Sequence, residues 1–153
     1  MRTIYLDLDG VMADFDTHFR NEFGWLPNDD LTDEHWTALH AKGDFFLSMP
    51  LKADAERLFK GLPRLPVILT ACPKTKYQEV ARQKRQWCRK HIGDNVIVLP
   101  ILGGHNKPMF MHQMGDILID DFGKNCRAWD AEGGVSIKHI STTDTLEKLN
   151  AIW

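Results

Sequence analysis

The sequence has few cysteines, no long apolar run and no strong excess of one charge. Its three cysteines (Cys72, Cys88 and Cys126) are widely spaced and form no Cys-x-x-Cys pair, so neither a disulfide framework nor a zinc site is indicated. This favours a reducing environment, and because no basic-then-apolar leader precedes the first strand, we expect a cytoplasmic protein. No apolar run approaches the length of a membrane-spanning helix. A net charge of −2 over 153 residues gives no global attraction to nucleic acid or membrane.

Short apolar runs alternate along the chain with helical patterns. The runs are almost continuously apolar, as strands buried on both faces should be. Repeated strand-helix-strand units predict an α/β fold: a Rossmann-like parallel sheet of about five strands with helices on both faces. The predicted strands are residues 2–8, 66–70, 95–99, 116–120 and 135–140. The predicted helices between them are residues 52–60, 74–91, 124–132 and 143–152.

The segment between the first two predicted strands is far longer than one crossover helix requires. Residues 13–23 have a helical pattern, Pro27 interrupts it, and Thr32 with the acids after it can open a second helix that closes near Gly43. We therefore predict a small helical cap over residues 16–50, standing above the carboxyl edge of the sheet, where it can roof a site. The predicted α/β core comprises residues 1–15 and 51–153.

Asp7 and Asp9 follow the first apolar run and precede Gly10. Residues two apart on a strand face the same side, so both carboxylates reach the carboxyl end of the strand, where α/β sheets keep their active sites. Like charges so close favour a bound cation, and Mg²⁺ prefers oxygen ligands. A calcium loop also begins Asp-x-Asp, but it needs a bidentate Glu at its twelfth position, which His18 or Arg20 occupies here.

Three further elements place polar side chains near the same edge. Asp120 and Asp121 follow the fourth strand, and unpaired carboxylates next to a core are costly without a partner. Thr70 ends the second strand, where it can either bind a phosphate oxygen or cap the next helix. Lys107 precedes the fourth strand; most lysines are solvated, but its position between Thr70 and the second acidic pair favours a role in the site.

The order of these parts resembles the haloacid dehalogenase-like (HAD) phosphatase superfamily, and within it most closely the 5'(3')-deoxyribonucleotidases. The motifs that carry the resemblance are Asp7-Leu-Asp-Gly-Val-Met-Ala-Asp-Phe15, Gly43-Asp-Phe-Phe-Leu47 with Pro50, Leu69-Thr-Ala71 and Leu118-Ile-Asp-Asp121. Two positions depart from the nucleotidase pattern. Thr70-Ala-Cys-Pro73 stands where Thr-Ser-Pro is usual, and Phe122 follows the Asp-Asp pair where Arg is usual.

The resemblance implies a Mg²⁺-dependent phosphomonoester hydrolase that dephosphorylates (deoxy)nucleoside monophosphates. Asp7 would attack phosphorus to form an aspartyl-phosphate, and Asp9 would act as general acid and then base. Lys107 would screen Asp7 from the phosphate dianion, and Thr70 would bind a phosphate oxygen. The implied metal ligands are Asp7, the backbone carbonyl of Asp9, and Asp120 or Asp121.

Aromatic and basic residues bear on the substrate. In the nucleotidases, aromatic residues at the places of Phe15, Phe45 and Phe46 stack on the base, although core packing is an equally good interpretation of all three. The basic helix 74–91 can guide a nucleic-acid end, but a run of this kind is more often a solvated face. A homodimer is compatible with the sequence, and no membrane partner is expected.

Two alternative functions remain open. One keeps the chemistry and changes the substrate to the 3'-phosphate of a nucleic-acid end. The other is a non-enzymatic phosphoacceptor signalling domain, in which the acceptor Asp follows the third strand. Here the third strand is expected to end at Leu99-Pro100, and the second acidic pair follows the fourth strand instead.

Overall fold

The computed structural model describes residues 1–25 and 31–153, so the predicted interruption at Pro27 lies outside the described residues. The strands are β1 (Ile4–Leu6), β2 (Val67–Cys72), β3 (Val98–Leu102), β4 (Ile117–Asp120) and β5 (Val135–Lys138). The α-helices are α1 (Phe15–Phe23), α2 (Asp33–Ala41), α3 (Ala55–Gly61), α4 (Tyr77–His91), α5 (Gly123–Ala131) and α6 (Thr142–Ile152). Within the part of the chain that is described, no helix has both the length and the apolar character needed to cross a membrane.

The five strands form one parallel sheet in the order β3-β2-β1-β4-β5. The predicted α/β, Rossmann-like fold with about five strands is therefore confirmed. Strand β1 lies at the centre, where Ile4 and Leu6 are fully buried. The chain reverses its direction of winding at this strand, since β2 and β3 lie on one side and β4 and β5 on the other. Ligands in open α/β sheets bind at the carboxyl ends of the strands beside such a switch point.

The apolar side chains form one cluster on each face of the sheet. Ile4 and Leu6 contribute to the larger cluster, which also contains Trp87 of α4. Tyr5 points to the opposite face and packs edge-on against Trp129 of α5, with ring centroids 5.1 Å apart. The alternation of these neighbouring residues is what buries β1 on both faces.

The predicted end of the third strand at Leu99-Pro100 is wrong, because β3 begins and ends about three residues later than the expected 95–99. Pro100 lies inside β3, which is an edge strand, and an edge strand tolerates a residue that lacks a backbone N–H. Pro100 pairs in register with Thr70 of β2. No acidic residue follows β3, which ends at Leu102-Gly103.

A 3₁₀ helix over Gly104–Phe110 was not predicted. It follows β3 after Gly103, whose φ of +74° lies in the left-handed region. The helix contains Pro108, which in a sequence pattern indicates a break rather than a helical turn. This short helix places Lys107, which is fully buried, beneath the carboxyl edge of the sheet.

Helix α4 holds the returning end of residues 16–50. The Gln83 side chain accepts hydrogen bonds from the backbone N–H groups of Phe46 (3.1 Å) and Leu47 (3.3 Å) and donates to the Gly43 carbonyl (3.2 Å). One turn later, the Trp87 indole N–H donates to the Met49 carbonyl at 2.7 Å. The segment is thus attached to the core through its backbone, which fixes the neighbouring aromatic side chains.

Candidate active site

A cavity of about 710 Å³ lies at the carboxyl edge of the sheet, between the core and residues 16–50. The ends of β1, β2 and β4 meet there. The segment before β2 contributes apolar groups to the lining, and the 3₁₀ helix and α5 contribute further residues. The lining includes Asp7, Asp9, Phe15, Leu31, Trp36, Phe46, Lys84, His105, Lys107, Asp121, Phe122, Lys124 and Asn125.

Gly10 makes the turn that follows Asp9. Its φ of +82° is unfavourable for any residue with a side chain. A Cβ at this position would lie 2.0 Å from Oδ2 of Asp121 and 2.5 Å from its Cγ. Glycine is therefore required both by the backbone conformation and by the close approach of the second acidic pair to the first.

Three carboxylates converge at the floor of the cavity. Asp7, Asp120 and Asp121 each offer an oxygen, and these oxygens lie within 4.8 Å of one another. Burial and the charge of Asp120 raise the pKa of Asp7 well above its usual value, although Lys107 opposes this shift. Burial and Asp120 also raise the pKa of Asp121 to about 6. Burial and mutual repulsion therefore both disfavour the charged forms of Asp7 and Asp121 in this cluster.

Lys107 bridges two of the three carboxylates. Its Nζ lies 2.8 Å from Oδ1 of Asp7 and 2.6 Å from Oδ2 of Asp120. Burial alone would lower the pKa of Lys107, but the charges of Asp7 and Asp120 raise it above its usual value. The ammonium group is therefore held in its charged form beside Asp7, the neighbour that the family resemblance implies for it.

Asp120 and Asp121 lie in different environments. The Asp120 carboxylate is fully buried and accepts hydrogen bonds from the Phe122 backbone N–H (2.9 Å), the Asn125 amide (3.0 Å) and Lys107. Asp121 lines the cavity instead. Asp120 is therefore bonded to Lys107 and to the start of α5, whereas Asp121 faces the cavity.

The donor set fits a Mg²⁺ ion. All of the converging groups are carboxylate oxygens, the ligands that Mg²⁺ prefers. The four carboxylates of the two acidic pairs are accompanied by two buried ammonium groups, those of Lys84 and Lys107, which leaves an excess of two negative charges when all are ionised. A single divalent cation would neutralise this excess and lower the raised pKa values.

Asp9 is bound by a second buried lysine, Lys84, rather than by Lys107. The Lys84 Nζ lies 2.9 Å from Oδ2 of Asp9 and also donates to the Thr70 hydroxyl (3.0 Å) and the Ala71 carbonyl (2.7 Å). The other carboxylate oxygen of Asp9, Oδ1, is buried and has no hydrogen-bond partner among the described residues. One oxygen of Asp9 is therefore anchored, and the other is available to a ligand.

Lys84 is a residue of the candidate site that the sequence analysis did not select. It was grouped with the basic residues of helix 74–91, whose usual interpretation is a solvated face, yet its side chain is only 1% exposed. Burial lowers the pKa of Lys84, but the charges of Asp9, Cys72 and Asp7 and the hydrogen bond to Asp9 together outweigh this and raise the pKa overall. The available signal was its helical spacing: Val80, Lys84, Trp87 and Cys88 lie on one face of α4, and the other three are apolar.

Thr70 lies below the site rather than on its surface. Its side chain is fully buried, and its hydroxyl accepts a hydrogen bond from Lys84. It is absent from the cavity lining, whereas the following residues Ala71, Cys72 and Pro73 do line the cavity. Its predicted contact with a phosphate oxygen stays a prediction, and its contact in this structure is with the lysine that holds Asp9.

The predicted aromatic residues divide into two groups. Phe15 and Phe46 line the cavity, together with Trp36, which the sequence analysis did not select. Phe45 does not line it but packs edge-on against Phe15 with ring centroids 5.7 Å apart, and it also contacts His18. Phe45 therefore supports the wall from behind. Lys84 lies 5.0 Å from the centroid of the Phe46 ring, which connects this wall to the acidic cluster.

Comparison with known proteins supports the fold. No family model and no curated protein sequence matches the chain. Among solved structures, a haloacid dehalogenase-like family hydrolase from Streptococcus pneumoniae aligns with a TM-score of 0.56 and 12% sequence identity, covering 89% of this chain and 83% of that chain. At this identity the likeness establishes a HAD-like fold.

Proposed function

We propose that the protein is a Mg²⁺-dependent phosphomonoester hydrolase that acts through an aspartyl-phosphate intermediate on (deoxy)nucleoside monophosphates, as a 5'(3')-deoxyribonucleotidase. The observation that carries the proposal is the pair at the end of β1. Asp7 lies in the cavity beside a charged lysine, and Asp9, two residues on, has one carboxylate oxygen anchored and one unpartnered. A nucleophile next to an acid/base is the arrangement that covalent phosphoryl transfer requires.

In the first step, an Asp7 oxygen forms a bond to phosphorus as the bond between phosphorus and the ester oxygen breaks. Asp9 gives its proton to that leaving oxygen. In the second step, Asp9 takes a proton from water, and the water oxygen displaces Asp7 from phosphorus to release phosphate. The unpartnered Oδ1 of Asp9 can exchange this proton while Lys84 holds Oδ2, so the carboxylate keeps its orientation through both steps.

Lys107 places a positive charge beside Asp7 in a site that is largely shielded from water, where such charges act strongly on a phosphoryl group. The residues that would hold Mg²⁺ are Asp7, the backbone carbonyl of Asp9, and Asp121 or Asp120. When bound, the ion would supply further neutralisation of the phosphate oxygens. Positioning and charge are the main requirements of this reaction, so these few groups are sufficient.

The wall formed by Phe15, Trp36 and Phe46 supports a nucleoside as the leaving group. Trp36 and Phe46 are stacked with an interplanar angle of 23° and ring centroids 6.5 Å apart. Aromatic rings in a cavity next to a phosphate site offer a stacking surface for a base. A cavity of about 710 Å³ is far larger than a phosphate group requires and lies in the range of small-molecule sites.

A second candidate is a 3'-phosphatase that acts on nucleic-acid ends. Basic side chains of residues 74–90 other than Lys84 are exposed and form no ion pair among the residues described. Their segment begins next to Pro73, which lines the cavity. An unpaired basic face leading away from a phosphate site could contact a polynucleotide backbone. The exposed residues are Lys74, Lys76, Arg82, Arg85, Arg89 and Lys90.

The proposal is tested by phosphate release from a panel of nucleoside monophosphates and a 3'-phosphorylated oligonucleotide. We expect release that requires Mg²⁺, stops with EDTA, and is abolished in Asp7→Asn. Asp9→Asn should lose roughly 10²- to 10⁴-fold, the usual contribution of a proton-transfer residue. Asp94→Asn, at an exposed aspartate beyond α4, is the matched control.

Each outcome separates the candidates. Preference for the oligonucleotide would replace the nucleotidase by the 3'-phosphatase. Phosphorylation of Asp7 without turnover would instead identify a phosphoacceptor domain. Absence of release from every substrate by the unmodified protein, or full activity of Asp7→Asn, would refute the catalytic assignment.

A further inference from the structure

Phe122 is an exposed aromatic residue inside the candidate active site. It follows Asp121 directly, it is one of the residues that line the cavity, and it is 49% exposed. Small-molecule sites are lined mainly by apolar and aromatic side chains, so an exposed ring at a cavity next to the acidic cluster is placed to contact a ligand. Its ring forms no aromatic pair within residues 1–25 and 31–153.

The other aromatic residues of the cavity are already packed against one another. Trp36 stacks on Phe46, and Phe15 contacts both Phe19 and Phe45. These rings belong to the wall formed by the chain before β2. Phe122 belongs to the core instead, since it lies between β4 and α5. The cavity therefore has aromatic surface contributed from two separate parts of the fold.

The backbone of Phe122 is fixed with respect to the acidic cluster. Its N–H donates to Oδ1 of Asp120 at 2.9 Å, and its carbonyl accepts from the N–H groups of Asn125 (3.0 Å) and Cys126 (3.2 Å) at the start of α5. The ring is thus attached to a rigid point one residue from Asp121. A group bonded to a phosphate at the acidic cluster would lie within reach of this ring.

We propose that Phe122 is a specificity-determining residue that contacts the planar ring of the substrate's leaving group from the core side of the cavity. This inference rests on the proposed function and specifies its substrate class: phosphomonoesters whose alcohol carries a flat heteroaromatic system. The packed rings of Trp36 and Phe46 supply further aromatic surface to the same cavity from the segment before β2. An aliphatic or simple sugar phosphate of the same charge leaves the exposed face of Phe122 uncovered.

The test compares a nucleoside 5'-monophosphate with ribose 5-phosphate, which shares the sugar and phosphate but lacks the base. The variants are Phe122→Ala, Phe122→Leu and Phe122→Tyr, and the control is Phe110→Ala, an aromatic residue that is 40% exposed but does not line the cavity. Stacking of a base on an aromatic side chain is worth at least about a five-fold effect. We therefore expect the kcat/KM ratio of nucleotide to ribose 5-phosphate to fall at least about five-fold in the Ala and Leu variants and to persist in the Tyr variant.

Equal loss on both substrates, or a Leu variant that keeps the full ratio, would overturn the assignment of an aromatic contact. The same variants are also made in an Asp7→Asn background, where binding of the two phosphates is measured by calorimetry without turnover. Loss of the binding preference in Phe122→Ala would support the inference. If the unmodified protein nevertheless released no phosphate, only the proposed function would be refuted. Binding that does not depend on Phe122 would refute the inference and leave the proposed function standing.

Discussion

Replacement of Gly10 by alanine tests how closely the two acidic pairs must approach. The perturbation has two parts. The left-handed φ of +82° costs an alanine about 1–2 kcal/mol, because its Cβ crowds the following carbonyl oxygen. In addition, the new Cβ would lie 2.0 Å from Oδ2 of Asp121, whereas real contacts of this kind are essentially never below 3.0 Å. The Asp121 carboxylate must therefore move by about 1 Å.

Gly24→Ala provides a matched control. Gly24 ends α1 with the same φ of +82°, and a Cβ there meets no described atom within 4 Å. Urea denaturation should show a loss of about 1–2 kcal/mol for Gly24→Ala and at least as much for Gly10→Ala. A misplacement of 1 Å at a reacting centre can cost about 10²-fold, so we expect kcat/KM to fall by about that factor only in Gly10→Ala.

A double variant isolates the contact from the backbone effect. In an Asp121→Gly background the carboxylate is absent, so Gly10→Ala should cost no more stability than Gly24→Ala costs in the unmodified protein. Equal phosphatase activity of Gly10→Ala and Gly24→Ala would refute the reasoning, because it would mean that the position of Asp121 does not matter for the reaction. A cost of Gly10→Ala that persists undiminished in the double variant would show that the close approach contributes nothing.

Three further predictions concern residues around the cavity. Lys84→Met should lower both stability and kcat/KM. Removal of one partner of a fully buried ion pair costs about 3–5 kcal/mol, and the loss here should be smaller because the Asp9 side chain is 29% exposed. Lys90→Met at an exposed position should change neither quantity; denaturation and phosphate release measure both. Gln83→Leu leaves two backbone N–H groups without an acceptor, so stability should fall by about 1–3 kcal/mol and KM should rise more than kcat falls; an unchanged KM would contradict this. Burial raises the pKa of the Cys88 thiol from 9.0 to about 12. The contribution of this thiol to stability is therefore complete below pH 9 and is lost as the pH rises toward 12. The free energy of unfolding measured at pH 8 and at pH 11 should differ less in Cys88→Ala than in the unmodified protein.

The fold was predictable because its strands are buried on both faces. Residues 66–70 and 116–120 are continuous apolar runs that end in polar residues, and the structure has β2 and β4 there. The boundaries of β3 were not predictable in the same way. Pro100 interrupts the strand pattern, and a strand tolerates a proline at such a position only at the edge of a sheet. Thr32 was expected to open a helix, and it does cap α2, although the reciprocal bond comes from His35 rather than from an acid.

The acidic half of the site was visible in the sequence, whereas only one of its two buried lysines, Lys107, was selected. Asp7 and Asp120 end buried strands, so the topology of a parallel sheet alone brings them to one edge. Lys107 and Lys84 reach that edge from a 3₁₀ helix and an α-helix, and nothing in a strand pattern specifies where such a side chain will point. Lys84 was hidden further because exposed basic residues surround it in sequence.

Helix α4 has two roles in the proposed reaction. Gln83 holds the backbone of Phe46, and the adjacent residue Lys84 holds Asp9. Both side chains are buried, and they are joined by a single peptide unit inside a helix that Trp87 also anchors. The ring that would contact the leaving group and the acid that would protonate it are therefore positioned from one rigid element. A shift of α4 relative to the sheet would disturb both together, which is why substitutions at Gln83 and Lys84 should interact rather than add in a double-mutant cycle.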